Sequence, residues 1–255
     1  MDRDNQKWIV LGHPSYVWRF GQDRRLALIQ QYVPLDDRWI LDLGCGIGTY
    51  VRKFRQFSPH VFGIDVDVER IAEACTTLPN LQVAESEHLP FPDRTFDVIV
   101  LNEVIEHVTD DGATIAECMR VLRPGGRVVI YAPNRLYLFE THGIYVGKRY
   151  IFRLIPLVNW LPDILRNRFA PHVRAYTSGG IRRLFVGTPA RIVHHGYVYP
   201  GFDNIIARRP GLGRVLRAVF YFLESTPLQC FGLSHFLIAE RLPDMVSEQS
   251  EPARP

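Results

Sequence analysis

The chain has 255 residues, of which 47% are hydrophobic and 22% charged. That balance suits a soluble globular protein and excludes a disordered tail, a collagen-like fibre and a coiled coil. At this length one large domain or two small ones can bury roughly 70–75% of the unfolded surface. The net charge of +3 conceals an asymmetry: residues 1–134 carry 14 Lys and Arg against 19 Asp and Glu, and residues 135–255 carry 16 against 8. The basic second half suits an acidic partner (phosphate, anionic lipid or nucleic acid) or a solvated arginine surface, since only three of the 30 basic residues are lysine.

Cys45, Cys75, Cys118 and Cys230 are far apart and form no CxxC pair, which reads as reduced thiols in a cytoplasmic protein. The N-terminal MDRDNQKWIV has no apolar run of the secretory kind. No uninterrupted apolar stretch reaches the length that spans a bilayer.

In chain order, residues 14–33 predict a helix with Pro14 near its start. Trp39 to Leu43 is a short apolar run that ends in glycines, so a buried strand, with a helix over 47–57 behind it. Val61 to Ile64 is a second strand ending at Asp65, and 67–77 a helix that Asp67 can cap. Leu81 to Ala84 and Phe96 to Leu101 are the third and fourth strands; the fourth is apolar nearly throughout, as a strand covered on both faces should be. A helix over 110–122 is stopped by Pro124-Gly125-Gly126, and Arg127 to Ala132 is the fifth strand. This alternation predicts an α/β fold with a doubly wound, mostly parallel sheet. Further on, Ser178 to Val186 reads as a capped helix, Arg191 to Val198 and Ser234 to Ala239 as strands, and 212–224 as an amphipathic helix. Residues 243–255 read as a flexible tail.

The strongest local signal is ILDLGCGIGTY, residues 40–50. Between a strand and a helix, Gly44, Gly46 and Gly48 allow a sharp turn and a close approach of backbone to ligand. The free N–H groups of the helix start can hold a carboxylate or phosphate. A dinucleotide site would show GxGxxG, but Thr49 stands where its third glycine would be, and no GxxxxGK[ST] occurs. Asp65 closes the second strand and can accept both hydroxyls of a ribose diol. Glu85 and Ser86 follow the third strand at the same edge. These groups converge on a nucleoside-bearing ligand without a pyrophosphate.

Four blocks, LDLGCGIGT (41–49), VFGIDVD (61–67), HLPFPDRTFDVIVLNEVIEHV (88–108) and VLRPGGRVVIYAPN (121–134), resemble the class I S-adenosylmethionine-dependent methyltransferases. They are most similar to the branch with the ubiquinone and menaquinone biosynthesis methyltransferases. The resemblance implies a Rossmann-like seven-stranded sheet with a helical insertion after the fifth strand. It implies one methyltransferase domain over 1–242: a cofactor-binding half (1–134), a lid or substrate insertion (135–176) and the C-terminal helices and strands (177–242). It implies S-adenosylmethionine as cofactor. Asp42 and the glycines would hold its methionine end and Asp65 its ribose. Ile64 and Val66 would flank the adenine, with Glu85, where the family usually has Asp, and Ser86 beside its amino group. Asn102 would lie near the sulfonium.

Methyl transfer to a hydroxyl benefits from a nearby base. His107, in EVIEHV, and His142, in FETHG, are the two candidates, with Glu106 to orient His107 or to cap a helix. His107 can equally be a histidine that bonds the backbone at a helix start. Glu140 and His142 would suit a metal only if further ligands arrived, so none is expected. His194 and His195 read as structural, on alternating faces of a strand. Tyr16 and Trp18 could cover the cofactor or merely pack.

In 150–169 and 212–223 arginines interleave with apolar residues; amphipathic helices of this kind suit a peripheral membrane contact or a lid. The leading reading is therefore O-methylation of a small, amphipathic or lipid-linked acceptor. The alternatives are an RNA or protein methyltransferase, for which no nucleic-acid module is visible, and a non-catalytic binding module.

Overall fold

The computed structural model describes residues 19–244. Pro14, Tyr16, Trp18 and the tail beyond 244 lie outside the described residues.

The described chain opens with α1 (Arg19–Tyr32). Next come β1 (Ile40–Leu43), α2 (Thr49–Phe54), β2 (Val61–Asp65), α3 (Val68–Cys75), β3 (Leu81–Val83) and β4 (Phe96–Asn102). α4 (Asp111–Val121) then runs directly into β5 (Leu122–Pro133). The second half holds α6 (Ser178–Arg183), β10 (Ala190–Val198), α7 (Asp203–Arg208), α8 (Pro210–Leu223) and β11 (Ser234–Arg241). Seven strands form one sheet in the order β10-β11-β5-β4-β1-β2-β3. β1 pairs in parallel with β2 and β4, as do β4 with β5 and β2 with β3, whereas β11 is antiparallel to both β5 and β10. This is the expected doubly wound, mostly parallel sheet, with its order reversing beside β1.

The strands are apolar on both sides because helices cover both faces. Alternation along each strand divides the core. Leu41, Leu43, Ile99, Leu101 and Val128 face Ile115, Cys118 and Met119 of α4 and Ile181 of α6. Ile40, Val98, Val100 and Val129 face Leu26 and Ile29 of α1 and Tyr50, Val51 and Phe54 of α2. Asp67 caps α3, its side chain accepting from the N–H groups of Glu69 and Arg70. Thr177 caps α6 through Gly180 N–H. Each cap satisfies N–H groups that the helix cannot, and contributes about 1 kcal/mol.

Two expectations are corrected. Pro124-Gly125-Gly126 does not separate α4 from the fifth strand. The helix already ends at Val121, and the three residues lie inside β5 as an irregularity: Phe96 pairs Leu122, and regular pairing resumes only at Val98–Arg127. Gly125, at φ 79, absorbs the extra length.

The insertion after β5 is helical only in part. Residues 135–176 form two short antiparallel ribbons, β6 (Phe139–Glu140) with β9 (Ile155–Pro156) and β7 (Ile144–Val146) with β8 (Arg149–Ile151). A 3₁₀ turn (Val158–Trp160) and one short helix, α5 (Asp163–Phe169), complete it. Pro156 lies in β9 and Pro162 is the N-cap of α5, so only Asp163–Phe169 is the helix that the interleaved arginines and apolar residues of 150–169 suggest.

Candidate active site

The carboxyl ends of β1, β2 and β4 meet at one edge, where ligands of open α/β sheets bind. After β1 the chain turns through three left-handed residues, Gly44 (φ 75), Gly46 (φ 53) and Gly48 (φ 79). A Cβ on Gly44 would come within 2.4 Å of Val104 Cγ2, so the close approach of β4's following loop demands glycine there. A Cβ on Gly46 would meet nothing within 4 Å. Here the missing side chain leaves open room in front of the backbone.

Asp65, buried at the end of β2, ties this loop together. Its Oδ2 accepts from Gly46 N–H at 2.8 Å and its Oδ1 from Asp67 N–H at 2.9 Å. Each carboxylate oxygen keeps a second lone pair, enough for the two hydroxyls of a ribose. Asp42 lies in β1 between Gly63 and Val100. Burial, reinforced by the Asp65 carboxylate, pushes its carboxyl up to about 8. It is a buried acid that a cationic group beside it would ionise. Ser86 is buried nearby in sequence, but Glu85 is 73% exposed and only loosely paired with His88. The structure thus joins Asp42, the glycines and Asp65, and leaves Glu85 in water. Val66 is exposed and Ile64 buried.

Beyond the cradle lies a network that the sequence did not announce. Asn102, at the end of β4, accepts through Oδ1 from Arg25 Nη1 of α1. Arg25 Nη2 also donates to Glu103 Oε1 at 2.5 Å and to Ser234 Oγ at 3.1 Å, and Ser234 Oγ donates to Glu103 at 2.7 Å. The Arg25 guanidinium lies 4.6 Å from the centre of the Tyr131 ring. Burial alone would raise Glu103, but the Arg25 guanidinium, His142 and the hydrogen bonds from Ser234 and Arg25 together outweigh it and hold the carboxyl at about 2. Glu103 also has φ 58, an uncommon conformation for this residue type. No local pattern links residue 25 to residues 102, 103 and 234.

Glu106, His107 and His142 come together just beyond. One side-chain nitrogen or oxygen from each lies within 4.8 Å of the others. Glu106 is 1% exposed, and among the described residues neither of its oxygens has a hydrogen-bond partner. Burial, then the charge of Glu103, raises its carboxyl well above the ordinary range. His107 lies in the turn before α4, its Nδ1 unpartnered; burial, then His142, pushes it down to about 3. His142 Nε2 stands 3.9 Å from Glu106 Oε1, and its ring meets that of His107 edge-on at 5.4 Å. The grouping that the sequence lacked around Glu140 and His142 is supplied by the loop after β4.

His194 and His195 are packing residues. The ring of His194 lies 4.1 Å from that of Tyr32, and His195 Nε2 is 3.0 Å from His235 Nδ1.

On the far side of β6, Leu136, Tyr137, Phe139, Trp160, Tyr199 and Phe220 help to line an apolar cavity of about 320 Å³. Alternation along β6 sends Phe139 to this cavity and Glu140 toward His142.

Comparison with known proteins agrees with this geometry. Residues 41–130 match the family described as "Methyltransferase domain". A ubiquinone biosynthesis O-methyltransferase of Bradyrhizobium sp. is 33% identical over 131 residues, covering 46% of this chain and 48% of the relative. The chain therefore spans about half the length of the curated relatives it matches. An S-adenosylmethionine-dependent methyltransferase from Mesorhizobium loti superposes with a TM-score of 0.58 at 20% identity, over 85% of this chain and 96% of that one. The [4+2]-cyclase SpnF gives 0.58 at 17%, over 94% and 95%. Such likenesses show the fold alone, and one fold carries different chemistries. The matched segment, 41–130, is similar to the methyltransferase domain family, and the curated relatives it resembles include ubiquinone biosynthesis O-methyltransferases. S-adenosylmethionine is the cofactor that it implies.

The residues fit that cofactor: open room at Gly46, paired acceptors on Asp65 and a buried acid at Asp42 for an ammonium.

Proposed function

We propose that this protein transfers a methyl group from S-adenosylmethionine to a hydroxyl of a small acceptor with an apolar body. The observation that carries this reading is a juxtaposition. The glycine and carboxylate cradle and a carboxylate–histidine cluster share one edge of the sheet, and an apolar cavity opens on the other side of β6. The O-methyltransferase name of the curated relatives supports a hydroxyl as acceptor. The bound cofactor supplies an activated methyl on sulfur. Asp65 would hold the ribose, and Asp42 the ammonium of the methionine end. The protein's remaining task is to align the acceptor at about 3–3.5 Å and exclude water.

Calorimetric titration with S-adenosylmethionine and S-adenosylhomocysteine, with NAD as control, tests the cofactor. Micromolar binding of both, and none of NAD, is expected; no binding of either overturns the reading. Transfer of labelled methyl to a panel of apolar phenols and lipid-linked glycans tests the acceptor class.

A peripheral membrane contact has its own supporting observation. Leu212, Val215, Val219 and Phe222 recur along one face of α8 and are exposed, next to exposed Arg208, Arg209 and Arg214. No helix among the described residues is long and apolar enough to cross a membrane. Co-sedimentation with anionic vesicles is expected and should fall with Phe222→Glu; failure of the wild-type protein to pellet overturns the contact.

A further inference from the structure

We infer that the insertion carries a prearranged Arg166–Glu140–His142 relay, in which Arg166 and Glu140 position His142 to take the proton of the acceptor hydroxyl. The inference rests on the methyl-transfer reading and adds how its base is held.

Arg166 is the anchor. It is 2% exposed, and every donor arm is used. Nε donates to Asn159 Oδ1 at 3.2 Å, Nη1 to Val173 O at 2.9 Å and Nη2 to Glu140 Oε2 at 3.0 Å. Asn159 in turn donates to Phe139 O, which fixes β6. Glu140 spends its other oxygen on His142. Oε1 accepts from the backbone N–H at 2.8 Å and lies 3.2 Å from Nδ1. Burial would raise the Glu140 carboxyl, but its hydrogen bonds to His142, with Arg166, hold it at about 2. An ionised carboxylate only accepts, so Nδ1, which also lies 3.3 Å from Thr141 Oγ1, carries a hydrogen, and in a neutral ring Nε2 then has the lone pair. The backbone carbonyl of His142 is held as well, by Tyr150 Oη and by His172 Nε2. The ring is therefore fixed in position and in tautomer.

Nε2 faces Glu106 Oε1 across 3.9 Å, a gap in which one hydroxyl oxygen can touch both atoms. His107, His172, Glu103 and the Arg25 held by Glu103 are the other titratable or charged groups around it. In the step proposed, the acceptor O–H bond breaks and its proton goes to Nε2. The oxygen forms a bond to the methyl carbon as the carbon–sulfur bond breaks, and that electron pair stays on sulfur. The imidazolium, facing the Glu140 carboxylate, later returns the proton to water. Among the described residues His107 has no such partner for its Nδ1, so we take His142 as the base.

Glu140→Gln tests the relay without changing side-chain size. Arg166 is donor-only and will take the amide oxygen, so the amide nitrogen must face His142 and oppose an Nδ1–H. ¹⁵N-histidine NMR should show His142 as the Nδ1–H tautomer in the wild type and lose it in the variant. S-adenosylhomocysteine affinity should stay within about threefold, while turnover on a catechol probe falls at least about 100-fold, as for other tautomer-breaking changes. Glu140→Asp, which keeps the charge, should restore part of the loss. An unchanged tautomer in Glu140→Gln overturns the inference, whether or not catechol is an acceptor. So does calorimetric binding of Zn²⁺ or Mg²⁺ alone that disappears in His142→Ala, which would make the cluster a cation site. Failure to bind S-adenosylhomocysteine would instead overturn the methyl-transfer reading and leave the tautomer result standing.

Discussion

The cradle at residues 42–67 and the insertion at 135–176 sit at the same site but are built from opposite materials. In the cradle the main chain does most of the polar work: Gly46 and Asp67 offer N–H groups to a single carboxylate, and glycines make room. In the insertion it is side chains, with Arg166 reaching Glu140 and Asn159, and Glu140 reaching His142. A main-chain site needs a short contiguous run and tolerates few residue types. A side-chain site is assembled over long separations and leaves no spacing to read. The network around Arg25 belongs with the second kind, spanning 77 and 78 residues to Asn102 and Glu103.

If that contrast is sound, the side-chain network should break with a charge-dependent cost. Arg25→Met would leave the half-buried Glu103 with Ser234 as a hydrogen-bond donor. Losing a charged hydrogen-bond partner at such a site typically costs about 1.5–3 kcal/mol. Glu103 has a depressed pKa, so its contribution is present above the ordinary carboxylate range and is lost as pH falls toward 2. The variant should thus lose more stability at pH 7 than at pH 4. Urea unfolding at both values checks this, and an equal loss at both would show that Glu103 does not depend on Arg25.

The cradle should fail differently. Gly44→Val combines a left-handed β-branched residue, about 1–2 kcal/mol, with overpacking against Val104, about 1–3 kcal/mol. Gly46→Ala meets no neighbour, so its expected cost to the free protein is the backbone term alone. Its cost to cofactor affinity should nevertheless be large, because the added methyl enters the open room. Unfolding and S-adenosylhomocysteine titrations on both variants separate the two glycines. Equal behaviour would mean that the room at Gly46 is not the ligand's.

The same contrast explains what the sequence disclosed. The glycine run, Asp65 and the Asp67 cap are local, and the parallel, doubly wound part of the sheet follows from apolar runs at βαβ spacing, whereas its seven strands are what the family resemblance implies. Pro124-Gly125-Gly126 misled because a turn signal also serves as an irregularity within a strand. The interleaved arginines and apolar residues of 150–169 misled in part, because Pro156 lies in a strand pair and the helix starts only after Pro162. Arg25, Glu103 and Ser234 were not singled out at all. Nothing near any of them in sequence reports a partner that the fold delivers from another element.

The smallest effect expected is also the one that joins the two kinds of site through charge. Asp42 is buried on the cradle's floor with a carboxyl pushed up to about 8, so in the free protein it is protonated at neutral pH. A raised acid contributes stability that is fully present below its unfolded value, about 3.9, and is lost as pH rises through about 8. An ammonium seated beside it favours the ionised form, so binding should release a proton below pH 8. Affinity for S-adenosylhomocysteine should then rise by up to about tenfold per pH unit toward that value and flatten above it. Calorimetry in buffers of different ionisation enthalpy counts the proton directly. Asp42→Asn should abolish the release and make the free protein more stable at pH 8, since an amide pays no cost for ionising there. Proton release that survives in Asp42→Asn would move the linked group elsewhere and remove Asp42 from the methionine end of the site.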